Sequence, residues 1–188
     1  MNITVYAGSA ASLPSEYLAQ AAAIGAAIAR AGATLVYGAG RTGLMGAAAD
    51  ACIAGGGSVV GIIPEFMVER GWHHRGLTEL VVTDGMHTRK NKMMEMANGV
   101  IALPGGIGTF EELTEAITWR QLGLYSGNIV ILNTGGYYDS LIAQLDRATA
   151  EGFMKPDHRA AVAVTESPEE AVALAMRTVE PRTFSPKF

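Results

Sequence analysis

Apolar and polar positions divide the chain into short, almost wholly apolar runs separated by longer runs with helical spacing. Ile3–Ala7, Thr34–Tyr37, Ser58–Ile63, Leu80–Thr83, Val100–Leu103 and Ile129–Leu132 read as strands, with Ala161–Val164 as a last short one. Helical patterns occupy Leu13–Ala31, Leu44–Ala54, Thr88–Ala97, Phe110–Leu122 and Tyr138–Glu151. The first helix opens near Ser12 and Pro14 and closes at Gly32, and Ser167-Pro168-Glu169-Glu170 forms a capping box that starts a final helix. Only Glu65–Thr78, which holds Trp72, His73, His74 and Arg75, lacks a clear period. Strands that are apolar on both faces, each followed by a helix, predict an α/β fold: a doubly wound, Rossmann-like parallel sheet with helices on both faces. Residues 1–180 are expected to form one domain, with 181–188 as a loosely ordered tail carrying two prolines.

Composition narrows the class. Of 188 residues, 49% are hydrophobic, enough for one core. The net charge of -4 and the lack of a basic block give a nucleic-acid-binding face no electrostatic support. A single cysteine, Cys52, excludes an internal disulfide or a Cys-based zinc cluster and suits a reducing compartment. No Lys or Arg precedes Arg30, unlike a secretory leader, and no apolar run is long enough to span a membrane. The expectation is a cytoplasmic protein with no membrane or nucleic-acid partner.

Chemistry should lie in the turns after strands, because open parallel sheets bind ligands at the carboxyl ends of their strands. Two glycine loops follow strands and open helices: Gly38-Ala39-Gly40-Arg41-Thr42-Gly43-Leu44-Met45-Gly46 and Pro104-Gly105-Gly106-Ile107-Gly108-Thr109. Glycines let backbone N–H groups approach a ligand, and a helix N-terminus adds positive partial charge. Two such loops on one sheet favour a nucleotide-type ligand over mere tight turns. The G-x-G-x-x-G in the first loop sits in the second strand–helix unit, whereas a dinucleotide fingerprint belongs in the first. Glu65 could serve as the acidic partner, but the fingerprint is in the wrong unit, and NAD is not favoured.

Met86-His87-Thr88-Arg89-Lys90 places two cations at the start of a helix, against the dipole preference, and Arg89 offers a planar fork for phosphate or carboxylate. Met93, Met96 and Ala97 downstream read as core. On the helix after the second glycine loop, Phe110, Leu113 and Ile117 form the expected buried stripe, with Glu112, Glu115 and Trp119 opposite. Thr109-x-x-Glu112 also matches a capping box, which makes a helix cap the competing role for Glu112. His73, His74, His87 and His158 are not arranged as a metal site, and Cys52 reads as a packed residue.

Pro104-Gly105-Gly106-Ile107-Gly108-Thr109-Phe110-Glu111-Glu112 resembles the PGGxGTxxE signature of the lonely-guy (LOG) family of nucleoside 5'-monophosphate phosphoribohydrolases. Met86–Lys90 resembles its MHxRK motif. The likeness continues through Gly8-Ser9, Gly43-Leu44-Met45-Gly46, Ile117-Thr118-Trp119 and Gly135-Gly136-Tyr137-Tyr138, covering nearly the whole chain to about Phe153. It implies cleavage of the N-glycosidic bond of N6-modified AMP (cytokinin nucleotides), and of AMP itself, by a homodimer without cofactor or metal. The catalytic pair it implies is Arg89 and Glu112. Substrate contacts fall on Gly8, Ser9, Gly43, Met86, Lys90, Gly105, Gly106, Ile107, Gly108, Thr109, Phe110, Glu111 and Thr118. Members of this family are often labelled lysine decarboxylases, but no clear site for pyridoxal chemistry is present. Where relatives commonly carry an acidic residue after the third strand, the register here gives Gly71, with Glu69 close by. The alternative is a non-catalytic carrier, because molybdenum-cofactor carrier proteins resemble this fold and also use glycine loops. A carrier has no need of an Arg–Glu pair.

Overall fold

The computed structural model describes residues 1–178. The strands are β1 (Asn2–Tyr6), β2 (Thr34–Tyr37), β3 (Ser58–Pro64), β4 (Glu79–Thr83), β5 (Gly99–Ala102), β6 (Asn128–Leu132) and β7 (Val162–Thr165). The helices are α1 (Ser15–Arg30), α2 (Gly43–Ala54), α3 (Glu65–Glu69), α4 (Met86–Met96), α5 (Ile107–Gln121), α6 (Asp139–Ala150), α7 (Pro156–Ala160) and α8 (Pro168–Ala175). The seven strands form one sheet in the order β4-β3-β2-β1-β5-β6-β7. Every pairing is parallel. This is the doubly wound α/β architecture that the apolar strands predict.

Period-two alternation divides each strand between two cores. Ile3, Val5, Leu35, Tyr37, Ile101, Leu103, Val130 and Leu132 face one side, where they meet Ile24 and Ile28 of α1, Ala48 and Cys52 of α2, and Val172 of α8. Tyr6, Val36, Val100, Ala102, Ile129 and Ile131 face the other, against Met93 and Met94 of α4 and Leu113, Ala116 and Ile117 of α5. Strands buried on both faces therefore read as continuous apolar runs. α1 and α2 approach so closely that a Cβ on Gly25 would fall 2.0 Å from the Ala48 carbonyl oxygen.

The chain winds outward from β1 to β4 and then returns to place β5 on the other flank of β1. That reversal opens a crevice between the loops after β1 and β5, the usual ligand position in such sheets. Gly8 N–H donates to the Pro104 carbonyl at 3.0 Å across it.

Helix ends differ from the sequence reading by a few residues. The aperiodic segment Glu65–Thr78 contains α3, and α7 and a 3-10 turn at Thr134–Gly136 also escaped that reading; all three are too short to show a period. α5 begins at Ile107 rather than Phe110, and its N-cap is Gly106, which makes no side-chain cap bond. Thr109 thus lies inside the helix, so Thr109-x-x-Glu112 is not a capping box. The capping box at Ser167 is present: its side chain accepts from Glu170 N–H at 3.2 Å, with Pro168 in the first turn of α8. The tail reading for 181–188 lies outside the described residues.

Candidate active site

A cavity of about 560 Å³ opens at the crevice. Its floor is the loop after β1 (Ala7, Gly8, Ser9) and the loop after β2 (Gly38, Gly40, Arg41, Thr42), with Gly106, Gly108 and Thr109 at the start of α5. Arg89, Glu111 and Glu112 line its middle, and Met45, Ile63, Met67, Trp72 and Met86 supply apolar walls. The first N–H groups of α5 have no intrahelical partner, and with the helix dipole they form a ready anion seat.

The glycines hold this arrangement by leaving room. Gly105 has no space for a side chain, because a Cβ there would meet Thr109 Oγ1 at 2.1 Å. At Gly38 a Cβ would fall 1.8 Å from Arg89 Nη2. Gly43, at a φ of 64°, lets the start of α2 receive the β1 loop: Leu44 N–H donates to the Gly8 carbonyl at 2.9 Å. Thr42 Oγ1 donates to the Ser9 carbonyl at 2.7 Å, tying the two loops together.

Arg89 of α4 reaches under the β2 loop. Its Nε donates to the Ile62 carbonyl at 3.2 Å, and Nη2 lies 3.6 Å from Glu112 Oε1. Both side chains are 7% exposed. Burial pushes the Glu112 carboxyl up to about 7, although the Arg89 guanidinium pulls it down. Desolvation outweighs the ion pair, leaving a carboxyl that changes charge near neutrality.

The helical wheel set Glu112 opposite the buried stripe, whereas the structure buries it. α5 is covered on two sides, with Leu113, Ala116 and Ile117 in the core against the sheet and Glu112 against Arg89 of α4. Trp119 also packs on the core, and Phe110 is half-buried with its ring 5.9 Å from that of Tyr138.

Among the residues singled out in the sequence, the cavity gathers Gly8, Ser9, Met86, Arg89, Gly106, Gly108, Thr109, Glu111 and Glu112. Gly43, Gly105 and Phe110 instead support the loops. Ile107 points outward and is 81% exposed. Thr118 Oγ1 donates to the Thr114 carbonyl at 2.8 Å on the exposed face of α5. Lys90 is buried and held by the Glu111 carboxylate and, at 3.1 Å, by Glu115 Oε1. Burial draws its pKa down, but those hydrogen bonds outweigh it and the ammonium ends above its ordinary value. It joins α4 to α5 and does not line the cavity.

Sequence reasoning did not assign Arg41, Met45, Ile63, Met67 and Trp72 to the site, although all five line the cavity. Arg41 and Met45 lie in the first glycine loop, so its motif was the available signal. Trp72 arrives through tertiary structure: Gly40 and His73 form an antiparallel bridge, and Arg41 N–H donates to the Trp72 carbonyl at 3.3 Å. Arg70 stacks on Phe66 and Trp72, with its guanidinium 5.6 and 5.0 Å from the ring centroids. Gly71 has a φ of 67°, a conformation that favours glycine over any residue with a side chain. His74 Nε2 lies 2.8 Å from Asp50 Oδ1, and Cys52 is buried in α2. Among the described residues, no three His, Cys, Asp or Glu side chains group as a metal site.

A family model described as "possible lysine decarboxylase" matches residues 45–175. The cytokinin riboside 5'-monophosphate phosphoribohydrolase of Rhodococcoides fascians is 44% identical over 92% of this chain and 87% of its own. The enzyme of that name called LOG from Oryza sativa subsp. japonica is 39% identical over 90% of this chain and 70% of its own. Among solved structures, the molybdenum cofactor binding protein of Rippkaea orientalis superposes with a TM-score of 0.71 at 22% identity, covering 92% of this chain and 93% of that one. At that identity the likeness shows the fold alone. The phosphoribohydrolase relatives and the family-model match place this chain in the cytokinin riboside 5'-monophosphate phosphoribohydrolase (LOG) family.

Proposed function

We propose that the protein hydrolyses the N-glycosidic bond of N6-modified adenosine 5'-monophosphates, and of AMP, to give free base and ribose 5-phosphate. The observation that carries this reading is the buried Arg89–Glu112 pair set beside the N-terminus of α5. The 5'-phosphate occupies that N-terminus, where backbone N–H groups neutralise it without a basic side chain. The sugar then lies over the pair and the base over the apolar walls.

Cleavage passes through an oxocarbenium-like sugar. Ionised Glu112 stabilises that positive charge and takes a proton from the attacking water. A guanidinium is not a proton donor in proteins, so Arg89 orients phosphate or ribose and stabilises electron density leaving with the base. Water supplies the hydroxyl at the anomeric carbon and the proton that the released base acquires. A carrier has no use for a buried carboxyl poised near neutrality, which favours the enzyme over that alternative.

The same reading makes residues 1–180 a single nucleotide-binding hydrolase domain, active as a homodimer in the cytoplasm. No helix among the described residues is long and apolar enough to cross a membrane. Incubation with isopentenyl-AMP, AMP and adenosine, followed by chromatography for free base, tests the function. Release from the monophosphates and little from adenosine is expected, and absence of free base from either monophosphate contradicts it. Light scattering at micromolar concentration tests the dimer.

A further inference from the structure

The carbonyls of the loop after β5 are all engaged. Leu103 accepts from Tyr138 Oη at 2.6 Å, Pro104 from Gly8 N–H at 3.0 Å, Gly105 from Tyr137 Oη at 2.6 Å and Gly106 from Phe110 N–H at 3.0 Å. In a planar trans peptide the C=O and the following N–H point in opposite directions. Each anchored carbonyl therefore fixes the direction of the next residue's N–H. The Leu103 carbonyl shares its plane with Pro104, which has no N–H. The Pro104 and Gly106 carbonyls aim the N–H groups of Gly105 and Ile107, and both are held by backbone. The Gly106 N–H alone has its plane set by a side chain, that of Tyr137.

That plane is also the one most in need of a lock. It joins two glycines, which have the lowest resistance to peptide reorientation. Tyr137 reaches it because Gly135 and Gly136 adopt φ values of 57° and 72°, turning the chain back from β6 toward the loop. Its ring stands edge-on to Tyr138 at 5.2 Å and to Tyr17 at 5.9 Å, which fixes the phenol. Gly106 lines the main cavity and also a smaller neighbouring one, which Tyr137 borders.

We propose that Tyr137 is a positioning residue whose hydroxyl locks the Gly105–Gly106 peptide so that Gly106 N–H points into the anion seat. The inference rests on the phosphate placement in the proposed function. Without the hydroxyl, the peptide turns freely and presents a carbonyl to the anion for part of the time.

Tyr137→Phe removes the bond and keeps the ring; the residue is 40% exposed, so the fold is retained, as a melting curve will show. Inorganic phosphate binding, measured by calorimetry, should weaken about tenfold, the size of one charge-assisted hydrogen bond. The KM for AMP should rise by the same factor while kcat stays within about threefold. Tyr138→Phe is the matched control: it frees a carbonyl whose plane has no N–H, and phosphate affinity should stay within about twofold of the native protein. Native-like phosphate affinity in folded Tyr137→Phe, equal losses in both variants, or no phosphate binding by the native protein overturns the proposal. Failure to cleave nucleotides, with phosphate affinity still lost in Tyr137→Phe, counts against the proposed function and leaves the lock standing.

Discussion

Arg89 Nη2 and Glu112 Oε1 stand 3.6 Å apart with both side chains buried, and yet the carboxyl is driven up to about 7. An ion pair at that separation is too loose to repay the removal of a carboxylate from water. The result is a group held near its transition point, as a carboxylate that must act at neutral pH requires.

The first prediction concerns activity and pH. If ionised Glu112 serves the reaction, kcat/KM should rise with pH through about 7 and level off above it. A profile flat from pH 5 to 9 would remove Glu112 from the rate-limiting chemistry.

The same shift sets the direction of a stability effect. The folded pKa, about 7, lies above the ordinary value of 4.5, so folding favours the protonated form. That contribution is fully present below about pH 4.5 and is lost as pH rises through 7. Gln mimics the neutral acid at all pH values. Glu112→Gln should therefore match the native protein at pH 4 and exceed it at pH 8 by up to roughly 3 kcal/mol. Urea titrations at the two pH values check this, and a variant less stable than the native protein at pH 8 contradicts it.

Gly38→Ala tests the seat of Arg89. The added methyl would fall 1.8 Å from Nη2, so the guanidinium must move while the strand end keeps its ordinary backbone. We expect a folded protein with turnover reduced about a hundredfold, the usual effect of misplacing a positioning group by an ångström. Near-native turnover would show that the guanidinium need not occupy this seat.

Gly25→Ala should act on stability and leave the site alone. In an isolated helix this change gains about 1 kcal/mol. Here the methyl would fall 2.0 Å from the Ala48 carbonyl oxygen, so α1 must part from α2 at a cost of about 1–3 kcal/mol. Thermal unfolding should show a lower Tm, and an increase would contradict the close approach.

The sheet was legible because its strands are buried on both faces and flanked by periodic helices, so runs such as Val100–Leu103 have few competing readings. α3 and α7 were not, because five residues carry no detectable period. The start of α5 was hidden by Gly106 and by the 81% exposed Ile107, neither of which announces a helix in sequence. The glycine loops and the Arg89 and Glu112 candidates were visible as residue types in pattern. Their mutual contact was not: whether Glu112 faces solvent or Arg89 depends on where α4 lies. The same holds for Lys90, whose partners are on another helix, and for Gly38, whose role appears only when Arg89 fills the space left by its missing side chain.

The most direct measurement compares free-base release from isopentenyl-AMP at pH 8 by the native protein, Glu112→Gln and Arg89→Lys, with folding verified for each. The nearly isosteric Gln removes the charge that meets the oxocarbenium-like transition state, and Lys keeps a positive charge but loses the planar fork. Both variants should fold and release base at least about a hundredfold more slowly than the native protein. Near-normal release by folded Glu112→Gln would contradict the account, leaving Glu112 as a buried partner of Arg89 with no part in the reaction.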